Sequence, residues 1–357
     1  MRGHPARSLA GVGLILGLVF LGAVPAGAAQ PAPPLPKAYV LVDADTGAVI
    51  AQQDDRTLRP PASTIKLLTA LIATQRLDPS DLIPISPLAE GMPARKINVK
   101  AGQQWTFDGL IHSLMMVSAN DAAVALAEKV GGGTLDGYVK IANETATRLG
   151  LADLPILNDP AGLDDEFSNK GGDRISPRDL AIVGRAVMSS PSLMSIIGTR
   201  DYNFAGGDGV SHHLPNHDLF LDLYPGANGL KTGTTDLAGH TFVGSATRGG
   251  RSMMVVVFDA VDYYGSAGAL LDQGFNTPVA SEVGLDHLPP VVQNAALPPP
   301  TTQPAPVVAA VAPKADSFVD STAFALIVLV VGLLPLRALR RRVVAKASYD
   351  VNPATGD

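Results

Sequence analysis

Ser63 and Lys66 stand three residues apart in RPPASTIKLLTALIATQ, residues 59–75. Two prolines and the apolar run after them predict a buried helix that begins near Ser63, which places both side chains on one helical face. A serine hydroxyl becomes a nucleophile when a base accepts its proton, and an ammonium group cannot be that base. The positive end of a helix disfavours an ammonium group and lowers its pKa. We therefore predict an uncharged base at Lys66 and a nucleophile at Ser63, the alternative being that Ser63 only caps the helix.

A polar triplet, Ser118-Ala119-Asn120, interrupts the apolar helical segment LMMVSANDAAVALAE. One interpretation is a turn between two helices, in which both side chains cap backbone groups. The other is a site that handles a polar ligand. Asp121 is expected to cap the helix that follows.

A lysine and a glycine lie in the predicted strand NGLKTGTT, at Lys231 and Gly233. Glycine weakens a strand unless another backbone must approach closely. We predict that this backbone belongs to an extended ligand added to the strand edge, and the alternative is an ordinary surface turn. A second cation close to Lys66 would favour its uncharged form, and Lys231 is a candidate for it.

The predicted secondary structure around these motifs changes along the chain from strands to helices and back to strands. AYVLVDADTGAVIAQ predicts a hairpin of two strands that turns at Asp45-Thr46-Gly47. Helical patterns follow from Pro60 to about Val187, and strands return with NGLKTGTT, GHTFVGSAT and RSMMVVVFDA before a final helix over residues 267–275. We predict an α/β protein of the α+β type, with an antiparallel-rich sheet flanked by helices, closed from both chain ends and carrying an inserted helical subdomain.

In these contexts the three patterns resemble a known family. PASTIKLLTA, LMMVSANDAAVALAE, PGANGLKTGTTDLAGHTFVGSAT and the DTGAVI hairpin are similar to the serine-type D-alanyl-D-alanine carboxypeptidases, which are low-molecular-mass penicillin-binding proteins with a β-lactamase-like fold. The similarity covers most of residues 38–278. It implies an acyl-enzyme on Ser63, removal of the terminal D-alanine from peptidoglycan stem peptides, and acylation of the same serine by β-lactams.

The resemblance also implies roles for further residues. Ser118 relays a proton to the departing amine, and Asn120 hydrogen-bonds the substrate amide. The backbone N–H groups of Ser63 and Thr234 form an oxyanion hole. Thr232 and Thr234 hydrogen-bond the terminal carboxylate of the peptide.

Three histidines lie close together in VSHHLPNHD, at His212, His213 and His217. This segment has the composition of a loop, and no second cluster of ligands accompanies it, so we predict no metal site. His217 lies where related enzymes place a group near the substrate carboxylate. We expect no cofactor.

Two other functions fit the same patterns. A β-lactamase would release bound penicillin quickly, and Glu166 in DDEFSN is a candidate for its deacylating base, although this segment fits a substrate-side loop of the carboxypeptidases better. A non-catalytic wall-binding or sensor protein would show a broken motif, and all three motifs are intact. Asp159 in DPAGLD is a departure, since many relatives have Asn there.

Composition limits the partners of the chain and its compartment. The chain has 357 residues, a formal net charge of -6 and no cysteine, so we expect neither a nucleic-acid partner nor disulfides. Arg2, Arg7, an apolar run and Ala26-Gly27-Ala28 predict a signal peptide over residues 1–28, with an uncleaved anchor as the alternative.

The C-terminal part predicts a membrane tether. We expect a catalytic domain over residues 29–287 and a proline-rich linker over residues 288–316. An apolar segment at 317–338 precedes several arginines, which predicts one transmembrane helix and a cytoplasmic tail at 339–357, with an interfacial helix as the alternative. The catalytic domain would then lie at the cell membrane and face away from the cytoplasm.

Overall fold

The computed structural model describes Met1, residues 33–168 and residues 170–291. The rest of the predicted signal peptide, most of the predicted linker, the predicted transmembrane helix and the predicted tail lie outside these residues. The strands are β1 (Ala38–Asp43), β2 (Val49–Gln53), β3 (Leu82–Pro84), β4 (Gln104–Thr106), β5 (Asp201–Ala205), β6 (Ser211–Pro215), β7 (Ala227–Thr235), β8 (Gly239–Arg248) and β9 (Arg251–Phe258). The α-helices are α1 (Lys66–Arg76), α2 (Pro87–Glu90), α3 (Phe107–Met116), α4 (Asn120–Val130), α5 (Leu135–Leu149), α6 (Pro177–Met188), α7 (Pro191–Gly198), α8 (Phe220–Leu223) and α9 (Tyr263–Asn276).

The main sheet joins the two ends of the described chain. Its strand order is β2-β1-β9-β8-β7, and every neighbouring pair is antiparallel. The β1–β2 turn forms where the sequence predicts it, since the Asp43 carboxylate accepts the N–H groups of Asp45 and Thr46 and Gly47 has a φ of 83°. Glycine adopts this left-handed conformation without steric cost. The prediction of an antiparallel sheet closed from both ends is confirmed.

Both faces of the central strands are buried, which explains why AYVLVD and MMVVVF are continuous apolar runs. Side chains alternate between the faces of a strand. One face packs against the helices of the insert through Val40, Val42, Met254, Val256 and Phe258. The other face packs against α9 through Leu41, Met253, Val255 and Val257. Burial of each of these apolar side chains stabilises the fold by roughly 1.5–3 kcal/mol relative to its exposure to water.

The helical insert begins and ends largely where capping signals predict. The Thr134 hydroxyl accepts the Gly137 N–H at the start of α5, and Gly150 ends this helix with a φ of 80°. The Ser176 hydroxyl accepts the Asp179 N–H ahead of α6. Because α1 is buried on nearly every side by the surrounding helices, it fixes the residues at its own start.

Two expectations for local structure are wrong. VSHHLPNHD is not a loop throughout, since its first part forms β6, which pairs with β5 and stacks His212 against Phe204. The sequence gives no apolar strand pattern there, because most residues of β6 are polar. Asp121 does not cap α4, because this helix begins at Asn120, and the Asp121 carboxylate instead accepts backbone N–H groups from residues 97 and 99.

The first residues of the predicted linker contact the rest of the described structure. The Leu288 N–H donates to the Gly47 carbonyl, and Arg185 donates to the Pro289 carbonyl. The first residues assigned to the linker therefore contact the domain. Within the described part of the chain, no single helix has the length and hydropathy of a membrane span, although α6 and α7 pass that test jointly with a bend of 98° between them.

Candidate active site

Ser63 lies in a 3-10 turn over Ala62–Ile65, directly before α1. Its side chain does not cap this turn, so the capping interpretation is not supported. Ala62 has a φ of 49°, a left-handed conformation that costs a residue with a β-carbon about 1–2 kcal/mol. The turn is held by two hydroxyls, since Thr64 and Thr241 both donate to the Pro61 carbonyl. Ser63 is therefore presented by a constrained backbone.

Lys66 is the first residue of α1 and is completely buried. Its Nζ lies 2.8 Å from Ser63 Oγ, 2.8 Å from Asn120 Oδ1 and 2.6 Å from the Ala161 carbonyl oxygen. An uncharged amine offers two N–H groups and one lone pair. The N–H groups can donate to Asn120 and Ala161, which leaves the lone pair to accept the Ser63 hydroxyl proton. The geometry thus suits a base that activates Ser63.

The surroundings of Lys66 favour this uncharged form. Burial, followed by the positive charge of Lys231, lowers the pKa of Lys66 well below its ordinary value, and Arg95 acts in the same direction. Asp159 and Asp173 oppose the shift but do not reverse it. The prediction that burial and a second cation depress this pKa agrees with the structure.

Asp159 organises the loop that faces Lys66. Its Oδ1 accepts the N–H groups of three consecutive residues, 161 to 163, at 2.7, 2.7 and 3.3 Å. This clamp fixes the Ala161 carbonyl that contacts Lys66. Asp173 lies behind it, and its Oδ1 accepts the Asn158 and Asp159 N–H groups. Burial, reinforced by the charge of Asp159, raises the pKa of Asp173 well above its ordinary value.

The Ser118-Ala119-Asn120 triplet joins α3 to α4, as the turn interpretation expects, and it also borders the site. Ser118 is buried and has a φ of 61°, which is strained for a serine. Asn120 bonds to Lys66 through Oδ1, and its Nδ2 donates to the Pro93 carbonyl at 3.1 Å. This second bond fixes the orientation of the amide group, which keeps one N–H free of these two contacts for a substrate.

Strand β7 forms the opposite wall of the site. Lys231 is buried, and burial lowers its pKa to about 7 even though Asp218 opposes the shift. Gly233 lies against the 3-10 turn, since a β-carbon there would come within 2.9 Å of the Ser63 backbone nitrogen. The backbone that approaches Gly233 in this structure is that of the protein itself, and the approach of an extended ligand stays a prediction.

The side chains of Thr232 and Thr234 lie on the face of β7 opposite to the side chain of Lys231, because side chains alternate along a strand. Thr232 pairs with Phe242, which belongs to the core cluster beside α9. Thr234 pairs with His240, and its hydroxyl lies 2.9 Å from His240 Nδ1. The structure therefore does not bring these two hydroxyls to Lys66, and their contact with a substrate carboxylate stays a prediction.

His217 contacts Arg95, a residue that the sequence analysis did not single out. Its Nδ1 lies 2.6 Å from an Arg95 guanidinium nitrogen. Loss of solvation, then the charges of Arg95 and Lys231, lower the pKa of His217 to about 4. His217 is therefore uncharged at neutral pH, and Arg95 belongs to the site.

Asp218 is a second residue that sequence reasoning missed. It is buried, its Oδ1 accepts the Phe220 N–H, and burial raises its pKa to about 6. The negative charge of Asp218 raises the pKa of Lys231, against the effect of burial. The adjacent His217 was the only signal in the sequence that this segment approaches the site.

The remaining candidates lie outside this arrangement. His212 and His213 contact the carboxylates of Asp208 and Asp201. Glu166 is exposed in a turn. In the described ranges, no group of His, Cys, Asp and Glu side chains has an arrangement that could hold a metal ion.

Comparison with known proteins shows which family this chain belongs to. The family model for D-alanyl-D-alanine carboxypeptidase matches residues 27–262. D-alanyl-D-alanine carboxypeptidase DacB2 of Mycobacterium tuberculosis is 35% identical over 253 residues, which are 69% of this chain and 84% of the relative. DacF of Bacillus subtilis is 31% identical over 229 residues, which are 63% of this chain and 57% of DacF, so the chain spans little more than half of that relative.

The similarity extends to the fold. A crystal structure of D-alanyl-D-alanine carboxypeptidase from Mycobacterium tuberculosis matches with a TM-score of 0.65 at 33% identity, covering 71% of this chain and 96% of that chain. The predicted β-lactamase-like architecture, a mixed fold with an antiparallel sheet and flanking helices, is confirmed.

Proposed function

Since this chain belongs to the D-alanyl-D-alanine carboxypeptidase family, we propose that it removes the terminal D-alanine from peptidoglycan stem peptides through an acyl-enzyme on Ser63. The observation that carries the proposal is the 2.8 Å contact between Lys66 Nζ and Ser63 Oγ, in surroundings that lower the pKa of the amine and so favour its uncharged form. A nucleophile and its base are thereby already paired.

Acylation follows from this pairing. Ser63 Oγ attacks the carbonyl carbon between the two D-alanines while its proton passes to Lys66 Nζ. The N–H groups of Ser63 and Thr234 stabilise the negative charge on the carbonyl oxygen of the tetrahedral intermediate. The C–N bond then breaks, and the departing amine takes the proton from Lys66 by way of the Ser118 hydroxyl.

Deacylation uses the same groups in reverse. Water attacks the ester carbon and gives its proton to Lys66, and Ser63 Oγ takes that proton as the C–O bond breaks. The shortened peptide leaves with a new carboxylate. No step requires a metal ion or a cofactor.

Substrate binding is proposed along the outer edge of β7. In the described part of the chain this strand pairs only with β8, so its other edge can accept an extended peptide as an added strand. Asn120 would donate its remaining N–H to the peptide amide. β-Lactams, which resemble the scissile bond, would acylate Ser63 in the same position.

The rival functions have less support. Glu166, the candidate deacylating base of a β-lactamase, is exposed, and none of the contacts described for the site involves it. A non-catalytic wall-binding protein would not need the costly burial of Lys66 next to Ser63.

We also propose that the catalytic domain is exported and tethered to the cell membrane by the segment at 317–338. This rests on the sequence: a signal-like N-terminus, a proline-rich spacer and an apolar segment followed by arginines. Protease added to intact cells should remove the domain. Protection of the domain from that protease would contradict the proposed orientation.

The test of the proposed activity uses the full-length protein in mild detergent. The wild type should bind labelled penicillin covalently and release D-alanine from a pentapeptide ending in D-alanyl-D-alanine. Ser63→Ala should do neither, whereas Ser192→Ala, a change at an exposed serine, should do both. Release of D-alanine by Ser63→Ala would reject the covalent mechanism, and rapid turnover of penicillin by the wild type would favour a β-lactamase.

A further inference from the structure

Asp159 and Asp173 form a buried pair of carboxyl groups behind Lys66. Asp159 is 3% exposed and Asp173 is 2% exposed. The two residues are in direct contact, since Asp173 Oδ1 accepts the Asp159 N–H at 3.0 Å. Asp159 in turn fixes the loop whose Ala161 carbonyl contacts the Lys66 amine. Two acidic side chains thus lie next to the proposed base, and the proposed acylation and deacylation use neither of them.

One oxygen of each carboxyl group accepts several hydrogen bonds, and the other accepts none. Asp159 Oδ1 accepts three backbone N–H groups, and Asp173 Oδ1 accepts two. Within residues 33–168 and 170–291, the Oδ2 atoms of both residues are buried without a hydrogen-bond partner. Burial of a polar atom without a partner is costly, so such atoms need an explanation. A single proton held between the two Oδ2 atoms would satisfy both of them.

The groups that face this pair favour one negative charge on it. Two charges would repel each other in a site that excludes water, and this repulsion, added to burial, raises the pKa of Asp173. Lys66 on α1 and Arg174, next to Asp173 in the chain, are the bases that interact with the pair. Tyr138 on α5 stays uncharged near both carboxyl groups, because burial raises the pKa of its hydroxyl. One retained charge matches the one proton that Lys66 gains during the reaction.

We propose that Asp159 and Asp173 share one proton between their Oδ2 atoms and thereby carry a single negative charge. This charge stabilises the ammonium form of Lys66, which arises when Lys66 takes the proton of Ser63. The shared proton is independent of the proposed function, whereas its effect on Lys66 rests on that function. The pair keeps its proton and its charge throughout the reaction. Asp159 and Asp173 are therefore positioning residues, which act on Ser63 through Lys66.

Asp159→Asn is the decisive change, because it removes the shared proton and keeps the loop contacts. The amide oxygen can still accept the N–H groups of residues 161 to 163, which places the amide nitrogen where Oδ2 was. This nitrogen offers Asp173 a donor instead of an acceptor, and a donor favours the ionised form of Asp173. Asn has nearly the same size and shape as Asp, so the variant should fold.

Infrared spectroscopy of the full-length, unliganded protein with carbon-13 in its aspartate carboxyl groups detects the shared proton. The wild type should show the band of a protonated carboxyl group at neutral pH, and subtraction of the Asp173→Asn spectrum isolates it from bands of other aspartates. In Asp159→Asn this band should disappear at a pH lower by about one unit or more. Asp222→Asn, a change at an exposed carboxylate, should leave the band as in the wild type.

Two infrared results would overturn the proposal. A wild type without the band at neutral pH would show two ionised carboxylates, as a water molecule bound between them would produce. A band that disappears at the same pH in the wild type and in Asp159→Asn would show that Asp173 holds its proton alone. The comparison of these two proteins needs no Asp173 variant, so it stands even if Asp173→Asn does not fold.

The pH–rate profile for acylation by penicillin tests the effect of the pair on Lys66. Asp173→Asn replaces a protonated carboxyl group by an uncharged amide and should leave the acidic limb nearly in place. The double variant Asp159→Asn/Asp173→Asn removes the charge altogether. Its acidic limb should lie at lower pH than that of Asp159→Asn, in which Asp173 takes over the charge, and the rate at a fixed acidic pH should differ about tenfold for each unit. Coincident limbs for these two variants would overturn the shared charge.

Failure of this inference is distinguishable from failure of the proposed function, because the infrared measurement needs no activity. A band that responds to Asp159→Asn in a protein that neither binds penicillin nor releases D-alanine would keep the shared proton and reject the carboxypeptidase activity. Release of D-alanine by a protein whose band does not respond would do the opposite.

Discussion

Gly233 and Ser63 are in such close contact that a β-carbon on Gly233 would come within 2.9 Å of the Ser63 backbone nitrogen and 2.4 Å of Thr241 Oγ1. Two of the three sequence motifs therefore meet through their backbones. The same packing places the Ser63 N–H against β7, where the proposed oxyanion hole requires it.

Gly233→Ala should slow acylation by penicillin about 100-fold or more, because the new methyl group must push Ser63 away from β7 and so displace an oxyanion donor. Stopped-flow measurement of penicillin binding checks this. Gly198→Ala is the matched control, since a β-carbon at Gly198 meets no atom within 4 Å. Acylation of Gly233→Ala at the wild-type rate would show that this contact does not matter to the reaction.

Lys231→Met should move the acidic limb of the pH–rate profile for acylation to higher pH. The positive charge of Lys231 helps to lower the pKa of Lys66, so its removal raises that pKa and reduces the uncharged fraction at pH 7. The rate at a fixed acidic pH should fall about tenfold for each pH unit by which the limb moves. A profile that keeps its shape and only drops in height would argue against this electrostatic role.

Asp159→Asn should have the opposite effect on the same profile. The carboxylate of Asp159 raises the pKa of Lys66, so an uncharged Asn lowers it and shifts the acidic limb to lower pH. Asn keeps an oxygen that can accept the N–H groups of residues 161 to 163. Asp159→Ala loses those bonds as well and serves to separate loop geometry from charge. An upward shift in Asp159→Asn would contradict the assignment.

Asp173→Asn should remove a loss of stability that the wild type suffers as the pH rises. The pKa of Asp173 is raised in the folded protein, so above the unfolded pKa of about 3.9 the folded state holds a proton that the unfolded state has lost. Stability then falls with pH by up to about 1.4 kcal/mol per unit until Asp173 ionises in the folded state. Thermal unfolding of both proteins from about pH 4 to about pH 8 measures this difference in stability. Parallel curves would show that Asp173 ionises normally.

The sequence predicted the parts of the site that depend on residue type and spacing. Ser63 and Lys66 contact each other because residues three apart on a helix share a face, and α5 ends at Gly150 because glycine alone accepts its φ without cost. The strands themselves were also visible, since β1 and β9 carry long apolar runs.

Other contributions to the site had no signal in the sequence. Ala161 acts through its backbone carbonyl, which any residue type would supply. Arg95 lies in an irregular segment without periodicity, and hydrogen bonds of that segment with Asn120 and Asp121 hold it beside the site. The pKa of Asp173 is raised because this residue is buried and lies close to Asp159. Neither its burial nor this proximity can be read from spacing along the chain.

The protonation state of Lys66 decides whether this residue can be the base that activates Ser63. Lysine labelled with nitrogen-15 in the full-length, unliganded protein allows the Lys66 Nζ to be titrated by NMR, and Lys66→Arg identifies its signal by the loss of one resonance. This amine should be uncharged at neutral pH and should gain its proton only on acidification, in parallel with the loss of acylation. A Lys66 that stays cationic well above neutral pH while the enzyme acylates at its full rate would rule out this residue as the base.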